Sequence, residues 1–216
     1  MIRITEIKEV LGCICDVMIR EKEVLTEIDS RLGDGDMGIS MEKGAAAVRQ
    51  VLESGCDNSI SGLLQAAAMA FNRAAPSTLG TLISFSMMSV ARETQGSNEI
   101  TEEQAVCFPG IMADTISAKG KANRGDKTIL DALIPFADTL RSVYDEKKDI
   151  GEALEAACAA AEKGMESTKG MLAKTGRASW LDGRNKEFPD GGAVLCVKIV
   201  QELCARGKED STGNGT

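Results

Sequence analysis

Apolar residues recur at helical spacing along most of the chain. Ile7, Val10, Leu11, Ile14, Val17 and Met18 share one stripe of a segment over residues 5–19, which predicts an amphipathic helix. A shorter helix with Val24, Leu25 and Ile28 follows and delivers Asp29 at its end. Beyond an Asp/Gly loop, residues 40–53 read as an Ala-rich helix closed by Gly55. Residues 59–73 form another, apolar on most sides and so expected at the centre. Pro76-Ser77-Thr78 breaks the chain before a helix over 79–92. Thr101 and Gln104 have capping-box spacing and open a helix expected to run to residue 119, with Pro109-Gly110 predicting a kink or break inside it. Helices over 128–143, 150–172 and 192–205 complete the series. No alternating run of strand length, internal repeat or linker stands out. The pattern predicts one all-α domain over residues 1–206, about eight helices in antiparallel order with loops gathered at the ends. Residues 207–216, rich in Gly, Ser and Thr, are expected to form a disordered tail.

Composition sharpens this picture. Aromatics are only 3% of 216 residues, which favours packed helices over sheets, because strands draw on aromatic and β-branched side chains. A net charge of −8 argues against a nucleic-acid partner, whose phosphates need a basic surface. Seven cysteines without a C-x-x-C pair read as small buried hydrophobes in a reducing compartment. The N-terminus has no apolar signal core and no run is long enough to span a bilayer, so the expected location is the cytoplasm, away from membranes. The chain has no histidine, which removes any phosphohistidine, histidine base or histidine metal ligand from its own chemistry.

The densest chemistry lies in Asp29-Ser30-Arg31-Leu32-Gly33-Asp34-Gly35-Asp36-Met37-Gly38. Carboxylates so close repel one another, and a fold that gathers them usually supplies a cation. The glycines let the chain curl them toward one point. Hard oxygen donors in a tight turn suit Mg²⁺. A helix-loop-helix calcium site is excluded by position, since counting from Asp34 puts Gly38 fifth and Ala45 twelfth, where a bidentate Glu is required. A solvated Asp-Gly turn is the bland alternative. Gly125-Asp126-Lys127-Thr128, read by itself, is a helix start with Thr128 as N-cap, and Lys127 has an acidic neighbour to pair with. Arg177 is a permanently charged planar donor matched to phosphate oxygens, in a connection long enough to hint at function. Asp190-Gly191-Gly192 opens the last helix, with Asp190 placed to cap it. Trp180 is expected to be a packing anchor.

Taken together, Leu32-Gly-Asp-Gly-Asp-Met-Gly38 preceded by Asp29, Gly120-Lys-Ala-Asn-Arg-Gly-Asp-Lys-Thr128, Gly176-Arg-Ala-Ser-Trp-Leu181 and Asp190-Gly-Gly-Ala193 resemble, in order and spacing, the nucleotide-binding L domain of dihydroxyacetone kinases. The likeness runs over residues 5–205. It implies a closed up-and-down helical barrel with ADP or ATP at one rim and two Mg²⁺ ions on Asp29, Asp34 and Asp36. It also implies nucleotide contacts from Met37, Gly38, Ile39, Ser40, Ser77, Thr78, Gly120, Ile129, Arg177, Asp190, Gly191 and Gly192. Two stretches depart from the family: Met37 stands where the metal loop usually has His, and Ala74-Ala-Pro-Ser-Thr78 replaces a Gly-Ala-Ser-Gly run. Met37 can lie against a base but cannot donate a hydrogen bond to it, and Ser77 or Thr78 is left to supply the lost hydroxyl.

The resemblance implies the phosphoryl-transferring subunit of a glycerone-type kinase, active only with a K subunit that holds the ketose covalently on a histidine. Two versions remain open. In one, ADP stays bound and is rephosphorylated by a phosphohistidine M protein of the phosphotransferase system, which a short separate chain favours. In the other, ATP exchanges as substrate and the acceptor is a triose or tetrose. A nucleotide-dependent regulatory protein is the competing class, and the nucleotide-binding domain of fatty acid kinases is a related likeness. A homodimer is a further expected assembly.

Overall fold

The structure, a computed structural model, describes residues 1–55, 59–175 and 186–213, except the side chains of Leu32 and of 208–213. The elements, in chain order, are β1 (Ile2–Arg3), α1 (Ile4–Arg20), α2 (Lys22–Leu32), α3 (Met37–Ser54), α4 (Ile60–Ala74), α5 (Thr78–Glu93), β2 (Glu99–Ile100), α6 (Glu102–Ala105), α7 (Phe108–Gly120), α8 (Leu130–Lys147), α9 (Ile150–Ser167) and α10 (Gly191–Gly213). β1 and β2 pair antiparallel, Ile2 opposite Ile100, and are too short for any alternation to have signalled them.

The helices close on themselves. α1 packs on α3, α3 on α4, α4 on α5, α5 on α7, α7 on α8, α8 on α9, α9 on α10, and α10 returns to α1. This is an eight-membered all-α ring in which alternate members run in opposite directions. α2 lies against α3 and α10 at one rim. Three apolar clusters fill the ring. One joins α7 to α10 around Leu130 and Phe136, another joins α1 to α5 and α10 around Leu25, Met41 and Leu195, and the third sits at the far end around Ile60 and Ile100. α8 and α9 approach so closely that a Cβ on Gly164 would stand 2.0 Å from the Asp131 carbonyl oxygen, a contact only glycine permits.

Several expectations change. α4 is a wall of the ring and not its centre: Leu63, Ala67 and Phe71 are buried while Met69 is 57% exposed, because two neighbours cover only part of its circumference. The helix expected over 101–119 breaks as Pro109 and Gly110 foretold, into α6 behind a complete Thr101–Gln104 capping box and α7 with Pro109 in its first turn. α8 begins at Leu130, not Thr128, and continues past 143 to Lys147. α9 ends at Ser167, five residues short of 172, because the chain turns through left-handed Gly170. α10 continues to Gly213, past the expected end at 205, since a formed helix extends at little cost. Residues 214–216 of the expected tail lie outside the described residues. Of the cysteines, Cys13, Cys15, Cys158 and Cys196 are buried and Cys107 and Cys204 half-buried; Cys56 lies outside the described residues. Among the described residues no helix is long and apolar enough to cross a membrane.

Candidate functional site

Because ring members alternate in direction, every second helix begins at the same rim. The first turns of α3, α5 and α10 and the loop leading into α8 line one cavity of about 270 Å³, through Met37, Thr78, Gly191 and Ile129. Helix N-termini present unpaired N–H groups and the positive end of the macrodipole. An acidic chain thereby builds a local anion site without a basic surface.

Across the same cavity stand the carboxylates. Asp29 sits in the last turn of α2, and residues 33–36 form the turn into α3. Gly33 N–H donates to the Asp29 carbonyl at 2.5 Å, and Gly35 takes a left-handed φ of 75°, which costs glycine nothing. The turn brings one oxygen from each of Asp29, Asp34 and Asp36 within 4.8 Å of one another, with Asp34 and Asp36 exposed. Met37 N–H donates to Asp29 Oδ2 at 3.1 Å, so the start of α3 orients this carboxylate. Three hard anionic donors on a compact, solvent-facing turn fit Mg²⁺.

A second polar group lies deeper. Asp131, 1% exposed, accepts Gly125 N–H on Oδ1 at 2.6 Å and Thr128 N–H on Oδ2 at 2.8 Å. It holds the loop into α8, a role assigned to Thr128 from sequence. The Thr128 hydroxyl accepts from Leu130 N–H, at 3.2 Å. Asp190 Oδ1 accepts Ala193 N–H at 2.8 Å, the expected cap of α10. Burial pushes the Asp190 carboxyl up to about 7; the nearby Asp131 adds to this, while Ala193 N–H and Lys127 oppose it. Lys127 is 3% exposed, and the same burial lowers its pKa against the pull of Asp190.

Met37, Ser77, Thr78, Gly120, Ile129, Asp190, Gly191 and Gly192 therefore share one cavity with the three carboxylates. Gly38, Ile39 and Ser40 do not line it. Gly38 is buried against α2, where a Cβ would meet the Lys22 carbonyl, and Ile39 is 40% exposed. The Met37 sulfur lies 2.9 Å from the place a Cβ on Gly191 would occupy. The Ser77 hydroxyl accepts Gly80 N–H at 3.1 Å as the cap of α5. Arg177, Trp180 and the motif over 176–181 lie outside the described residues. Sequence reasoning missed the apolar wall, Leu79, Leu82, Ile116 and Ala122. Their spacing is that of any core helix, so no sequence signal distinguished them. It also set aside Lys127, whose position between Gly125 and Thr128 was the available hint.

A family model described as the DAK2 domain matches residues 31–205. The chain is 32% identical over 194 residues to the PEP-dependent dihydroxyacetone kinase, ADP-binding subunit DhaL, of Escherichia coli, covering 90% of this chain and 92% of that protein. It is 33% identical over 184 residues to L-erythrulose 1-kinase of Mycolicibacterium smegmatis, covering 83% of this chain but 31% of that protein. The native crystal structure of the dihydroxyacetone kinase of C. freundii superposes with a TM-score of 0.73 at 22% identity, over 94% of this chain and 34% of the other. The complex of that kinase with AMP-PNP and Mg²⁺ gives 0.71 at 20% identity, over 92% and 33%. This chain thus spans only about a third of the length of the erythrulose kinase and of the solved structures.

Proposed function

The chain belongs to the DAK2 domain family, and on that premise we propose that it is the nucleotide-binding, phosphoryl-transferring part of a dihydroxyacetone-type kinase, taking ADP or ATP with Mg²⁺ at the rim cavity. The observation that carries this is the opposition of three clustered carboxylates and several helix N-termini across one cavity. A polyanion chelating a divalent cation matches both halves at once.

In this reading Asp29, Asp34 and Asp36 would hold two Mg²⁺ ions. Bound there, the metal supplies the positive charge that phosphoryl transfer needs on the phosphate oxygens. The chain's own residues do the positioning. Met37 N–H aims Asp29, and the first turns of α5 and α10 direct N–H dipoles toward phosphate. Leu79, Leu82, Ile116 and Ile129 exclude water from a flat apolar base. Arg177 is assigned to phosphate by the motif alone.

No histidine is present in this sequence to fix a ketone covalently, so in this reading the substrate is held by a K-type domain or partner outside it. The 92% coverage of the E. coli ADP-binding subunit favours a PEP-dependent version, with bound ADP recharged by a phosphohistidine protein. The 33% identity to L-erythrulose 1-kinase supports a second reading, an ATP-dependent triose or tetrose kinase. A coupled assay of product phosphate, leaving out each component in turn, tests both. Turnover is expected only with a K-type partner plus either ATP or a phosphohistidine donor. Turnover by this chain with ATP alone would overturn the subunit reading.

A further inference from the structure

Resting on that reading, we propose that Lys127 is a positioning residue that clamps Met171 and Phe188, at the two described ends of the α9–α10 connection, beside the cavity wall and thereby sets how slowly nucleotide leaves. Its ammonium donates to two main-chain carbonyls, Phe188 at 2.8 Å and Met171 at 3.3 Å. These two residues stand on opposite arms of the connection. The arms also meet each other beside the clamp, where Gly170 N–H donates to the Lys186 carbonyl at 2.6 Å. Farther in, Asp190 N–H donates to the buried Thr168 hydroxyl at 2.9 Å. The arm bearing Phe188 runs directly into Asp190, Gly191 and Gly192, which line the cavity, so whatever places Phe188 places the start of α10.

The clamp also reaches the carboxylate turn. The Arg31 guanidinium lies 4.7 Å from the centroid of the Phe188 ring, close enough for a cation–π contact. Arg31 is two residues beyond Asp29 on α2, so Phe188 is gripped through its carbonyl by Lys127 and through its ring from the metal side. Lysine is seldom buried, and this one also holds a left-handed φ of 61°, a conformation that non-glycine residues keep only when surrounding contacts impose it. The neighbouring Lys174–Asp126 pair, 2.8 Å, ties the same stem from outside, but Lys174 is 65% exposed and such pairs contribute little.

The test is stopped-flow release of a fluorescent N-methylanthraniloyl ADP in Mg²⁺ from wild type and variants, with Mn²⁺ affinity, circular dichroism and amide exchange at Gly170 as parallel readouts. Lys127→Met keeps the length of the stem and removes the charged donor. It should speed release about tenfold, the worth of roughly one charge-assisted hydrogen bond, and speed exchange at Gly170. Mn²⁺ affinity and helix content should stay within twofold of wild type. Lys127→Arg should return release to within about threefold, and Lys174→Ala should change it less than twofold. Unchanged release in Lys127→Met, or an equal acceleration in Lys174→Ala, would overturn the clamp while leaving the functional reading intact. Failure of the wild type to bind the fluorescent ADP would instead remove the functional reading, and the release role of Lys127 with it.

Discussion

On one side of the rim, Asp29, Asp34 and Asp36 crowd their oxygens within 4.8 Å on a turn whose last two carboxylates face solvent. On the other, Asp131 and Asp190 spend theirs on the fold. Both Asp131 oxygens accept loop N–H groups, and Asp190 caps α10 beside the Lys127 ammonium. The first group carries mutual repulsion that a cation from outside relieves. The second is satisfied from within and needs none. Carboxylate count therefore does not separate a ligand site from a structural one at this rim. What separates them is setting: the first three crowd together on a solvent-facing turn, while Asp131 is buried and holds main-chain N–H groups with both oxygens.

That contrast can be broken by exchanging the roles in mutants. Asp131→Ala leaves two main-chain N–H groups without acceptors in a buried position, and the expected loss is about 3 kcal/mol of folding stability. Asp34→Ala on the exposed turn should change stability by less than about 0.5 kcal/mol. Chemical denaturation of the two variants measures the difference, and equal losses would erase the distinction.

Ligand linkage comes next in size. ADP with Mg²⁺ at about a hundred times its Kd should stabilise the chain by roughly 2.7 kcal/mol, through binding only the folded state. EDTA should cancel the rise in Tm. A rise that survives EDTA would detach the carboxylate turn from the nucleotide site.

The last effect belongs to the buried side and is read as a slope against pH. Folding raises the Asp190 carboxyl from its ordinary 3.8 to about 7, so the folded chain holds this proton more tightly than the unfolded chain. The associated stability is complete below about pH 4 and drains as pH climbs through 7, with a slope near 1 kcal/mol per pH unit over the middle of that window. Asp190→Asn keeps an oxygen for Ala193 N–H and should remove that slope. Parallel pH–stability curves for wild type and variant would show that Asp190 does not titrate there.

Much of this organisation was legible in the sequence. The Asp/Gly spacing announced the carboxylate turn because glycine and aspartate act locally there. Pro109-Gly110 announced the break between α6 and α7 for the same reason. Ring closure was not legible from periodicity, since an apolar stripe states which face is covered and not by which neighbour. For that reason α4 looked central when it is a wall, and nothing in the sequence singled out Asp131, which α9 and the α8 loop bury. The burial of Lys127 depends on the meeting of residues 127, 171 and 188, a juxtaposition no short window contains. The early end of α9 was in principle readable from Gly170, whose left-handed conformation stops the helix.

The central claim, that the rim cavity binds a metal nucleotide through the Asp turn, is tested most directly by titration calorimetry of ADP into wild type and Asp34→Asn, each with and without Mg²⁺. Wild type should bind with Mg²⁺ and weaken sharply without it, and Asp34→Asn should lose about tenfold or more in affinity in Mg²⁺ while keeping wild-type helix content. Identical ADP affinity for the two proteins in Mg²⁺ would contradict the claim.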